Sequence, residues 1–75
     1  METEELLIGC LRGEYATGMP AVVRVYKIGE RFRINGPGRP HLCDSSVKDI
    51  EEIKREAFKI YRIWNSEFEA AVDQA

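Results

Sequence analysis

The sequence predicts one α+β domain: a small antiparallel sheet of three strands, or four with a short edge strand, packed on one face by a long C-terminal helix. All six glycines and three prolines precede His41, and these residues turn chains and interrupt helices. Residues 21–34 are rich in β-branched side chains that alternate with polar ones, which is typical of strands. Residues 46–73 repeat apolar side chains at spacings of three and four, which is the helical period.

Length and composition indicate a single soluble domain over residues 1–75, with the sheet in 5–43 and the helix in 46–73. Hydrophobic residues make up 44% and charged residues 32%, as in globular proteins. The acidic start differs from a signal peptide, and no apolar run approaches the ~20 residues that would span a bilayer. We therefore expect a cytoplasmic protein without membrane contact. Two cysteines, Cys10 and Cys43, are too few for a disulfide scaffold; we expect free thiols, with one bridge as the alternative.

The first strand is predicted at residues 5–12, where apolar side chains occupy both alternating faces and indicate cover on two sides. Gly9 within it suggests a bulge or a close approach of another backbone. Residues 13–20 are predicted to form a loop, because Gly18 and Pro20 lie within it.

The clearest β signal is a hairpin of residues 21–28 and 31–34, joined by Gly29-Glu30. Glycine first in a two-residue loop indicates a type II′ turn. That turn sets Ile28 opposite Arg31, Lys27 opposite Phe32, Tyr26 opposite Arg33 and Val25 opposite Ile34. Alternation then gives a core face of Val23, Val25, Phe32 and Ile34, with Lys27 near the turn, and an outward face of Arg24, Tyr26, Ile28, Arg31 and Arg33.

The helix is predicted to begin after an irregular Gly36–Pro40 loop and a short edge strand at Leu42 and Cys43. Ser46 with Asp49 three residues later resembles a capping box. The apolar stripe that follows consists of Ile50, Ile53, Ala57, Ile60, Tyr61, Trp64, Phe68, Ala71 and Val72.

Two details conflict with one straight helix. A helix of this length would run about 42 Å, whereas six-residue strands span only about 20 Å, and Ile63 points almost opposite the stripe. A break at Asn65-Ser66, with Ser66 and Glu69 as a second capping box, would fold a short helix back. Dimerisation through Trp64, Phe68 and Val72 would cover the stripe instead, and we favour this slightly.

Charge is unevenly distributed although the net charge is only −2. Residues 1–11 carry three acids and no base, a net charge of −3. Residues 12–43 carry six bases and two acids, +4, and residues 44–75 carry five bases and eight acids, −3. A partner responds to such local fields more than to the total.

The candidate partner-contact face is Arg24, Tyr26, Arg31 and Arg33, because arginine and tyrosine are frequent in protein hot spots. The leading function is a small non-catalytic interaction protein or adaptor, homodimeric through the C-terminal helix, that also binds an unidentified protein. The alternative is nucleic-acid binding by the same face, with the ring stacking on a base. A sheet face that contacts only water also requires polar side chains, so these residues are equally consistent with a face that binds no partner.

Other candidate sites are weaker. The Gly36–Pro40 loop lacks the phosphate-loop pattern, and Pro37 and Pro40 remove two amide donors. His41, Cys43 and Asp44, with Cys10 brought in by the fold, are metal-ligand types, but their spacing differs from that of common zinc sites. We therefore expect no catalytic residue, no metal and no cofactor.

Overall fold

The computed structural model describes residues 4–71, which form one antiparallel five-stranded sheet and one helix. The sheet order is β4-β3-β2-β1-β5, and the helix connects the two edge strands. The predicted α+β class is confirmed, whereas the three-stranded sheet with a long C-terminal helix is wrong. The elements are β1 (Glu5–Tyr15), β2 (Pro20–Ile28), β3 (Arg31–Asn35), β4 (Pro40–Leu42), α1 (Ile50–Tyr61) and β5 (Ile63–Ala70).

The largest correction concerns the end of the helix, which spans 12 residues and ends at Tyr61. Arg62 adopts a left-handed conformation (φ 58°), and its N–H donates to the Phe58 carbonyl at 2.9 Å. This hydrogen bond closes the last turn as a C-terminal glycine commonly does. The chain then continues as β5, so both the helix predicted beyond Tyr61 and its break at Asn65-Ser66 are wrong.

The helix also begins later than predicted. Asp49 is the N-cap, and its carboxylate accepts from the Glu52 N–H at 2.9 Å, so the capping box predicted at Ser46 is wrong. The carboxylate of Asp44 instead accepts from the Ser46 N–H at 3.0 Å in the preceding loop, and this hydrogen bond lowers the pKa of Asp44. In the described part of the chain, α1 is too short and too polar to cross a membrane.

The predicted hairpin is confirmed in its register. Val25 pairs with Ile34, Tyr26 with Arg33, Lys27 with Phe32 and Ile28 with Arg31. The predicted loop at 13–20 is shorter, because β1 runs to Tyr15 and β2 starts at Pro20. The expected edge strand is present as β4, one or two residues earlier than Leu42–Cys43.

The hydrophobic core lies between one face of the sheet and α1. Leu11, Val23, Val25 and Ile34 from the three central strands are at most 1% exposed. They pack in one cluster with the helix residues Ile53 and Ala57 and with Cys43, Val47 and Ile63. Ile63, which points away from the predicted helical stripe, is thus a core residue of β5.

β5 approaches β1 closely because β1 contains glycine at two positions. In the pairing of β1 with β5, Leu11 lies opposite Phe68 and the register shifts between Arg12 and Glu14. In the pairing of β1 with β2, the register shifts between Leu7 and Gly9. A Cβ at Gly9 would overlap the Glu69 carbonyl oxygen and the Phe68 ring, as the close backbone approach predicted there implies.

Candidate functional site

The face of the sheet opposite α1, called here the outer face, carries the four predicted contact residues. Arg24 and Tyr26 lie on β2, and Arg31 and Arg33 lie on β3. Because Tyr26 pairs with Arg33 and Ile28 pairs with Arg31, strand alternation places all four on one side.

Two of the arginines are held by the domain itself. The Arg33 guanidinium lies 5.0 Å from the centroid of the Tyr26 ring, forms an ion pair with Glu5, and donates through Nε to Asn35 Oδ1 at 2.9 Å. Arg31 Nε donates to the Cys43 carbonyl at 2.9 Å. The Tyr26 ring therefore already stacks with an arginine on one face, where an unpaired base would otherwise bind.

Charge on the outer face has opposite signs in its two halves. The basic half, on β2 and β3, carries Arg24, Arg31 and Arg33. On β1 and β5, Arg12 forms an ion pair with Glu69 at 3.0 Å and pairs across the strands with Glu67. The acidic half, on β1 and β5, carries four glutamates and one arginine: Glu5, Glu14, Glu67, Glu69 and Arg12.

Apolar side chains lie between and beside these charges. On the outer face, Leu7 is 43% exposed, Val22 53% and Leu42 46%. Leu7 also lines a depression of 260 Å³ together with Cys10, Arg24 and Glu69. The outer face thus combines exposed apolar area with charges of both signs.

Trp64 and Phe68, two of the three residues of the predicted apolar stripe Trp64, Phe68 and Val72, lie on β5 and not on a helix. Trp64 is exposed on β5 and packs edge-to-face against Phe58, with ring centroids 4.7 Å apart. Phe68 is half-buried against the core, and Val72 lies outside the described residues. Dimerisation through a C-terminal helix is therefore wrong.

A second group of functional side chains lies between β4 and α1. His41 pairs with the core residue Ile34, so its ring faces the helix, and its Nε2 is 2.9 Å from Glu56 Oε1. Cys43 follows on the same side. The potential ligand atoms of His41, Cys43 and Glu56 all lie within 4.8 Å of one another.

The sequence pointed to only part of this cluster. It named His41 and Cys43 but joined them to Asp44 and Cys10. Asp44 instead caps its own loop, and Cys10 lies near Glu69 on the outer face. Glu56 was missed, although it directly precedes Ala57 on the buried side of α1; recognising it required the position of β4 under the helix.

Nucleophilic catalysis by Cys43 conflicts with its environment. The residue is fully buried, so a substrate cannot reach its sulfur in the folded state. Burial, and secondarily the charge of Glu56, raises the pKa of the Cys43 thiol to about 11, so the reactive thiolate is scarce at neutral pH.

No protein-family model, curated protein or solved structure matches the chain.

The raised pKa of Cys43 predicts that stability falls in alkaline solution. The unfolded thiol ionises near its ordinary value of 9.0, whereas the folded thiol keeps its proton until about 11. This contribution to stability is therefore complete below pH 9 and is lost as the pH rises to 11, by at most ~1.4 kcal/mol per pH unit. Urea unfolding at several pH values should show the stability advantage of wild type over Cys43→Ala shrinking across this interval. A constant difference would contradict the prediction.

Proposed function

We propose that this protein is a non-catalytic interaction module that pairs with a second copy of itself through the outer face of its sheet. The observation that carries the proposal is the opposite charge of the two halves of that face. We place the module in the cytoplasm, since Cys10 and Cys43 are both free thiols, as is usual in a reducing compartment.

Exposed apolar area supports association through this face. A sheet with one wet face usually carries polar side chains there, yet Leu7, Val22 and Leu42 are each more than two-fifths exposed. A chain of 75 residues buries only about 60% of its unfolded surface, so packing against a second copy would bury further apolar surface.

Charge complementarity indicates how the copies would be arranged. Stacked sheets pack with their strands nearly aligned. If the two-fold axis runs along the strands, the basic half of one copy faces the acidic half of the other. When this axis passes over β1, β2 of one copy lies over β5 of the other. Arg24 would then approach Glu69 of the second copy, and Glu67 two residues away along β5. Such an isologous contact satisfies both halves at once, and the charges would determine orientation.

Charge reversal tests this arrangement by sedimentation at micromolar concentration. We expect the wild type to have about twice the monomer mass, and either Arg24→Glu or Glu67→Arg to weaken the dimer at least ~10-fold. The double variant with both substitutions should restore the dimer, because the new glutamate at position 24 of one copy then faces the new arginine at position 67 of the other. Lys27→Glu is the matched control, since Lys27 lies on β2 but on the other face, and its dimer should be unaffected. A monomeric wild type, or equal weakening by Lys27→Glu, would overturn the proposal.

Binding to nucleic acid is the alternative use of Arg24, Tyr26, Arg31 and Arg33, and the geometry supports it less well. Arg33 covers Tyr26, and the acidic half lies on the same face. Titration with a mixed oligonucleotide pool at low salt should show no binding. Binding that weakens steeply with salt and is lost in Arg24→Glu would favour nucleic acid instead.

A further inference from the structure

We propose that His41, Cys43 and Glu56 bind one Zn²⁺ ion between β4 and α1, with water as the fourth ligand. This site is independent of the outer face, because it lies on the opposite side of the sheet. The donors come from three segments: an edge strand, the loop after it, and the middle of the helix.

The spacing of the donor atoms fits a tetrahedral ion. Zinc bonds of 2.0–2.3 Å place neighbouring ligand atoms roughly 3.5 Å apart. In the structure, the His41 Nε2–Glu56 Oε1 distance is 2.9 Å, and no pair of donor atoms in the cluster is more than 4.8 Å apart. Small side-chain rotations would therefore bring all three within bonding distance of one ion.

The donor types favour zinc over other common metals. Imidazole, thiolate and carboxylate are its usual ligands, whereas Mg²⁺ and Ca²⁺ require oxygen ligands. Cys43 supplies a fully buried sulfur, while the side chains of His41 and Glu56 are 26% and 21% exposed. The ion could enter from the exposed side, where water would complete the coordination.

The backbone already holds Cys43 in place for this role. Its N–H donates to the Phe32 carbonyl at 2.8 Å, and its carbonyl accepts from Arg31 Nε at 2.9 Å. A ligand fixed at both backbone groups loses little freedom when it binds a metal. A hydrogen bond between His41 and Glu56 would by itself account for the proximity of these two side chains. It does not account for the Cys43 sulfur lying within 4.8 Å of both.

A bound ion would connect the shortest strand of the sheet to the helix. β4 has three residues and forms one edge of the sheet. Zinc would link it directly to α1 through Glu56, as structural metals do in domains with small cores.

Cobalt titration of chelator-treated protein tests the site. We expect one Co²⁺ per chain, a near-ultraviolet thiolate-to-cobalt absorption band, and displacement by Zn²⁺. Cys43→Ala should abolish the band, whereas Cys10→Ala, the matched cysteine control, should keep it. His41→Gln and Glu56→Gln should each weaken binding at least ~10-fold, while Glu51→Gln, an exposed glutamate on the same helix, should not.

Thermal unfolding gives an independent readout. Zinc at a hundredfold excess over the wild-type Kd should raise the melting temperature of wild type by ~10 °C and that of Glu56→Gln by about half as much or less. If Cys43→Ala does not fold, the variants at the two partly exposed positions, His41 and Glu56, decide the outcome. The absence of a charge-transfer band, or a band that survives Cys43→Ala or depends on Cys10, would overturn the proposal.

Discussion

Replacing Ile53 by alanine should lower the free energy of unfolding by about 2–5 kcal/mol, because it opens a cavity at the centre of the core. Ile53 is fully buried where α1 meets the sheet, in the cluster that contains Val25 and Ile34. Domains of this length have only about 4–11 kcal/mol in total. Urea unfolding followed by circular dichroism should therefore show a large fall in the midpoint.

Ile60→Ala is the matched control, since it makes the same substitution in the same helix. Ile60 is 43% exposed, so its loss should cost less than about 1 kcal/mol. The two variants also distinguish the observed helix from the long helix predicted from sequence, because the long helix would bury both residues in one stripe. Similar costs at Ile53 and Ile60 would contradict the observed packing.

Gly13→Ala should disrupt the pairing of β1 with β5. A Cβ at this position would lie 2.5 Å from the Trp64 carbonyl oxygen and 2.9 Å from Ile63 Cγ2. The first of these atoms is backbone, so the strands must separate, and the expected loss is about 2–3 kcal/mol. Relative to wild type, the variant should show amide hydrogen exchange that is accelerated more in β5 than in the β2–β3 hairpin.

Gly18→Asn controls for the general cost of replacing a glycine in this chain. Gly18 has a positive φ of 89°, but a Cβ there meets no atom within 4 Å. Asparagine tolerates left-handed backbone better than most residues, so we expect a loss of about 1 kcal/mol. If Gly18→Asn were as damaging as Gly13→Ala, close packing of β5 on β1 would not explain the result.

The hairpin could be predicted from sequence because its signals are local. Gly29 fixes the turn, and the alternation from Val23 to Ile34 agrees with the same register on both strands. Each residue's partner is only a few positions away, so turn chemistry and side-chain pattern are sufficient.

The end of the helix could not be predicted in this way. Arg62 terminates α1 in a left-handed conformation without a glycine, and the following segment contains glutamate and alanine, which favour helices. Trp64 and Phe68 lie four residues apart, a spacing that favours one face of a helix, but in β5 a register shift between them places them on opposite faces of the sheet. Pairing with β1 decided the outcome, and this is a tertiary interaction that the local pattern does not contain. The position of Ile63, opposite the stripe, was the one sequence signal of the change.

The candidate site was predictable to a similar extent. Strand alternation places the four predicted contact residues on the outer face, but the acidic half depends on β5, whose sequence predicts a helix. His41 and Cys43 share a side of an extended segment, as the sequence allowed. Glu56 joins them only because the fold brings its side chain to His41, and no spacing along the chain specifies that contact.

The order of the strands also has a consequence for synthesis on the ribosome. β1 is made first and can pair with β2 early, but its other edge pairs only with β5, the last element described. Leu11 therefore has no partner on this edge until Phe68 has been made, and the nascent chain carries an interior strand with one unpaired edge until β5 has emerged from the ribosome. An unpaired edge is a template for wrong partners, so this interval is when the chain is most exposed to misassembly between neighbours on one messenger RNA.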